Sequence, residues 1–161
     1  MDRKTLLLGL SCLTLLFMAM APHGAGSGPA PACLIKLAEP HDGQQVGRSV
    51  TVKGTATLPA GGHLWVFARR ENFQDQDVWW PQAEGRVDPT TGEWKVSTSI
   101  GEPRDIGWSF DIAVAVFKEA ENLELKNQVR EAMKSGNWLP IEMPASICPP
   151  QFLKVKKNSH N

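Results

Sequence analysis

Neither sign of charge prevails in this sequence. Lysine plus arginine and aspartate plus glutamate each number 17 among 161 residues. A basic footprint able to neutralise nucleic-acid phosphates is therefore missing, which excludes a nucleic-acid binder. The same balance excludes electrostatic attachment to an anionic membrane surface. Cysteine is scarce, at three, and no pair stands in the Cys-x-x-Cys spacing of thiol redox chemistry. Histidine, at four, forms no His-x-His or His-Glu-x-x-His pattern and no Cys/His zinc spacing. Ser49, Ser97 and Ser99 fall on strand-like segments, without the Gly-x-Ser-x-Gly elbow that would expose a nucleophile. GAGSG, Gly24 to Gly28, follows no strand and reads as linker, not as a phosphate cradle. Tyrosine is absent, whereas tryptophan and phenylalanine number six each. These gaps predict a protein with no catalytic residues, no bound metal and no cofactor.

What is present points to export. Arg3 and Lys4 precede the uncharged stretch Thr5 to Ala21, which ends in Ala19-Met20-Ala21, the layout of a secretory signal peptide over residues 1–21. Pro22 sits badly behind that site, so the cut can fall later in residues 22–32, a Pro/Gly/Ala/Ser lead-in without apolar periodicity. The rival is an uncleaved anchor, but the run is short of the roughly 20 residues a span needs. Leu10-Ser11-Cys12 resembles a lipoprotein site placed too early in that run. Export implies a secreted or periplasmic protein with no membrane span after cleavage. Cys12 leaves with the signal, so Cys33 and Cys148 remain and most simply form a disulfide. Two buried free thiols are the alternative.

The mature chain is long enough for one domain, over residues 33–157, with 158–161 as a tail. Its composition, 42% hydrophobic and 21% charged, is that of a globular protein. The dominant period is two, the signature of strands. CLIKLAEP forms a first strand that stops at Pro40, and SVTVKGTATLP follows with Val50 and Val52 on one face. HLWVFARR is apolar on both faces, with Trp65 and Phe67 opposite Leu64, Val66 and Ala68, which predicts a central strand. Asp88-Pro89-Thr90-Thr91-Gly92 is a turn leading into a strand that shows Trp94, Val96 and Thr98 to one side. WSFDIAVAVF aligns Trp108, Phe110, Ile112, Val114 and Val116 as a core row. One segment differs: Leu125, Val129, Ala132 and Met133 make a helical stripe, with Gly136 placed to stop it. In PPQFLKVKK, Phe152 opposes Leu153 and Val155. Six or seven short strands with one helix inserted before the last predict a mainly β, two-sheet sandwich.

IKLAEPHDGQQVGRSVTVKGTA, Ile35 to Ala56, resembles the opening of bacterial immunoglobulin-like domains. The matching positions are Ile35, Pro40, Gly43, Val46, Val50, Val52, Gly54 and Ala56. The rest of the chain is similar to exported bacterial proteins that carry such a domain with a helix before the last strand. The resemblance implies an immunoglobulin-like accessory or binding module with no enzymatic role. The helix and the bracketing cysteines depart from the plainest form of that domain.

Candidate ligand contacts cluster around DVWWPQ, Asp77 to Gln82. On a strand ended by Pro81, Trp79 and Trp80 must face opposite ways. One belongs to the core; the other can stack on a sugar ring or anchor a protein partner. The plainer alternative is that loop or helix covers it. Trp65, Trp94 and Trp108 are expected in the core, and Trp138 under the helix end. Asp75 and Asp77, with Asn72, are hard oxygen donors, but the glycine and distant glutamate of a calcium loop are missing, so they read as a polar loop. His41 and His63 read as solvent-exposed turn residues. Glu119, Glu121 and Glu124 complement the helix dipole. The expected partner is a protein or cell-envelope component, with a glycan as the alternative.

Overall fold

The computed structural model describes residues 33–72 and 77–159. In chain order the described elements are β1 (Leu34–Glu39), β2 (Gln44–Val46), β3 (Ser49–Thr57), β4 (His63–Arg70), β5 (Val78–Gly85), β6 (Glu93–Ser99) and β7 (Ser109–Phe117). After them come α1 (Glu119–Ser135), β8 (Ile141–Glu142) and β9 (Gln151–Lys157). They form a three-stranded sheet, β1-β3-β6, and a six-stranded sheet, β2-β9-β7-β4-β5-β8. Among the described strands, only β2 with β9 is a parallel pair. Pairing of β3 with β6 in one sheet, and of β4, β7 and β9 in the other, is the immunoglobulin-like exchange of strands between sheets. β5 extends the larger sheet, as an added strand does in variable-type domains. The fold is a mainly β, immunoglobulin-like sandwich.

Strand alternation dictates the core between the sheets. Val52, Trp94 and Val96 from the smaller sheet meet Leu64, Val66, Ile112, Val114 and Val116 from the larger one, all buried. At about 1.5–3 kcal/mol for each fully buried aliphatic side chain, this layer dominates folding. Lys157 continues the inward phase of Leu153 and Val155 and is fully buried. Its Nζ donates to the carbonyls of Ile100 at 2.7 Å and Glu102 at 2.8 Å. Burial pushes its ammonium below the ordinary lysine range.

The other face of β4 and β7 is just as apolar, and it builds a third layer. Trp65, Phe67, Trp79, Ala113, Ala115 and Phe117 are covered by Leu125 and Val129 of α1, with Ile141 and Met143 beside them. Small Ala113 and Ala115 leave room for a helix to approach the sheet. α1 ends at Gly136, whose left-handed φ of 71° lets its N–H reach the Ala132 carbonyl. The chain then returns as a strap held by Ser146. The Ser146 hydroxyl accepts the Val116 N–H at 3.0 Å and lies within bonding distance of the Val116 and Cys148 carbonyls. Cys148 is bonded to Cys33, Cα to Cα 5.9 Å, so the expected disulfide forms and fastens the strap to the start of β1.

Several expectations need correction. β5 runs through Pro81 instead of ending there. A register shift at Val66/Phe67 places Pro81 opposite Phe67, and β8 pairs only with Val78 and Trp79 on the other side, so no ladder partner is lost at Pro81. Trp108 is 48% exposed; it precedes β7, which begins at Ser109, and its ring lies under the Arg70 guanidinium at 4.7 Å. Met133 is exposed; the helix buries Asn122 at its start in place of a fourth apolar residue at its end. Trp138 is also exposed. The short strands β2 and β8 were not expected from periodicity.

Candidate functional site

Asp77 and Trp79 are brought together, and both are structural. Trp79 is buried, with its Nε1 donating to Asp77 Oδ1 at 3.1 Å. Arg69 lies over the Trp79 ring at 4.2 Å and pairs with Asp77 at 2.5 Å and Asp111 at 3.1 Å. Lys154 continues the row, bonding Asp111 at 3.3 Å and also Glu71. Its bond to Glu71, with help from Asp111, holds the Lys154 ammonium above its ordinary range despite partial burial. The row ties β4, β7 and β9 together across the outer face. Trp80 points to the opposite side, is half-buried, and donates its Nε1 to the Trp138 carbonyl at 3.3 Å. Asp75 lies outside the described residues.

His63 is not a turn residue. It opens β4 and is half-buried, and its two ring nitrogens face two carboxylates. Nδ1 lies 2.7 Å from Glu84 and Nε2 2.6 Å from Glu119. Glu84 also takes Lys126 at 2.8 Å. Asn122, fully buried, accepts the Trp65 Nε1 proton at 3.0 Å and donates to Glu119 at 3.3 Å. These contacts stitch the first half of α1 to β4 and β5. Glu119 is thus a bridging group as well as a helix-start charge.

A concavity lies at this same end. A cavity of about 680 Å³ lies between β1, the end of β3 and the β5–β6 loop, with Lys36, Thr55, His63, Glu84, Arg86 and Thr90 among its lining residues. Its loop wall is rigid by construction. Asp88 Oδ1 accepts the amides of Thr90 at 2.8 Å and Thr91 at 2.9 Å. Gly92, at φ 73°, passes its carbonyl to the Ala56 amide at 2.8 Å. Sequence reasoning found the turn but not the cavity, since nothing in the spacing of Lys36 and Arg86 signals that they share a surface.

Two carboxyls here respond to acid. Partial burial works to raise Glu84, but hydrogen bonds from Lys126 and His63 prevail and hold it below the ordinary range. Backbone bonds from Thr91 and Thr90 hold Asp88 down. Groups depressed on folding add stability above their unfolded pKa and lose it as pH falls through the folded value. The urea midpoint should hold steady from neutral pH toward about pH 5 and fall below about pH 4. Glu84→Gln should flatten part of that slope; an unchanged slope in the variant contradicts the assignment.

No family model matches the chain, and no curated protein sequence matches it. Among solved structures, one of murine CRIg overlays with a TM-score of 0.32 at 7% sequence identity, covering 81% of this chain and 99% of that one. So loose a likeness carries nothing about function.

Proposed function

We propose that the protein is an exported, non-catalytic immunoglobulin-like module that recognises a protein or cell-envelope component through the cavity end of the sandwich. The observation that carries this reading is a 680 Å³ cavity, a preformed, polar-lined opening of ligand size. The row from Asp77 to Lys154 is internally paired away from it, and His63 and Glu84, which line it, are paired with each other and with Glu119 and Lys126. Export is supported by the Cys33–Cys148 bridge, since disulfides persist in oxidising compartments. Among the described residues no helix is long and apolar enough to cross a membrane.

The test is residue-resolved NMR of the labelled protein against separate envelope protein and glycan fractions. Shifts confined to residues 34–36, 55–58 and 84–92 support the reading. Turnover of ester, peptide or glycoside substrates that disappears in His63→Gln would overturn it.

A second reading is glycan binding through Trp80 and Trp138. It is favoured by one observation: half-buried Trp80 reaches the backbone of Trp138, which is itself 44% exposed. In that case the NMR shifts would fall on those two indoles, and Trp138→Ala would abolish them.

A further inference from the structure

We propose that the cavity binds a ligand of about disaccharide size carrying two carboxylates, one met by Lys36 and the other by Arg86. The proposal rests on the reading of this protein as a binding module and names the chemistry of its ligand. It follows from the charges lining the site. Both lining carboxylates are already engaged: Glu84 by His63 and Lys126, and Asp88 by the amides of Thr90 and Thr91. Both remaining lining cations have no partner among the described residues: Lys36 on β1 and Arg86 at the start of the β5–β6 loop. The charge left available to a ligand is therefore positive, and it comes from two separate elements.

Size and lining narrow the class further. A volume of 680 Å³ lies within the range of small-molecule sites and fits one or two sugar rings better than a folded partner. Thr55, Thr57, Thr90 and Thr91 line the cavity, and no tryptophan or phenylalanine does. Stacking on a neutral sugar is thus unavailable, whereas hydroxyls that both donate and accept suit a polyhydroxylated or amide-bearing acid. Arg86 can grip a carboxylate through two parallel N–H bonds, and Lys36 acts as a point charge. The walls need little ordering on binding. The Asp88 turn is closed by its own amides, and β1 is fastened at its start by the disulfide, which lowers the entropic cost of capture.

Carboxylates of this size come from acidic sugars or from acidic peptides, and the experiment separates them. The full-length secreted protein is titrated calorimetrically with digalacturonate, with its neutral disaccharide counterpart and with the dipeptide Glu-Glu. At least one of the acids is expected to bind, at least tenfold more tightly than the neutral sugar. The tighter of the two identifies the source. Lys36→Gln and Arg86→Gln should each weaken that binding at least tenfold, and both residues are exposed, so both variants should fold. The proposal is overturned if neither acid binds, if the neutral disaccharide binds equally well, or if both variants bind like the parent. In that event, envelope fractions that still shift the cavity residues by NMR leave the binding-module reading standing; fractions that shift nothing remove it too.

Discussion

Replacing Cys33 and Cys148 together by serine should lower the unfolding free energy by roughly 2–5 kcal/mol, the range for removing a native disulfide from a small exported domain. The bridge closes 115 residues of chain, a span for which loop entropy alone gives about 4–5 kcal/mol. Its position raises the effect. β1 is a sheet edge paired only with β3, and the strap before β9 has few other anchors besides Ser146 and Ile147, which bond to Val116. Without the bridge, both are free to fray. Urea unfolding of the double-serine protein and of the reduced parent should give matching, lowered midpoints. A loss below about 1 kcal/mol would mean that β1 and the strap hold without it.

Phe67→Ala should cost about 3–5 kcal/mol. Phe67 is fully buried on the face of β4 that meets the helix layer, and its ring packs edge-on to Phe117 at 5.7 Å between centroids. Its removal leaves a cavity beneath α1 and deletes an aromatic pair worth about 0.5–1.5 kcal/mol beyond the buried area. Met133→Ala, on the exposed side of the same helix, is the control and should stay within about 0.5 kcal/mol. If Phe67→Ala behaved like Met133→Ala in urea unfolding, α1 would be an appendage and not a layer.

Much of the fold was legible in the sequence, for a physical reason. Period-two alternation records burial directly, so the faces of β3, β4, β6, β7 and β9 could be assigned residue by residue. The doubled apolar faces of HLWVFARR announced a central strand, and the Leu125–Val129 stripe announced a helix, but not that the helix covers that strand's outer face. Illegible were the features set by long-range pairing. β2 and β8 are three and two residues long, too short for any period. Pro81 stays within a strand because the neighbouring ladder asks nothing of it, a fact about register that composition does not carry. Trp108 lies just before β7 begins and meets Arg70, distant in sequence, at the surface. The candidate site was the least legible part. Of the residues proposed from sequence, Trp79 and Asp77 satisfy each other internally, Trp80 donates to the Trp138 carbonyl, and Asp75 lies outside the described residues. Lys36 and Arg86 stand out only once β1 and the β5–β6 loop are seen to share a cavity and their neighbouring carboxylates to be engaged.

The three-layer arrangement closes the outer face of β4 and β7, and the proposal of recognition at the cavity end depends on it. Native-state amide hydrogen exchange on the intact, oxidised protein tests it most directly. Amides of α1 around Leu125 and Val129 should exchange only as slowly as those of β4 and β7, because helix and sheet open in one cooperative event. Exchange of those helix amides through a local opening well below the global unfolding free energy would contradict it, and would return the face beneath α1 to the list of binding surfaces.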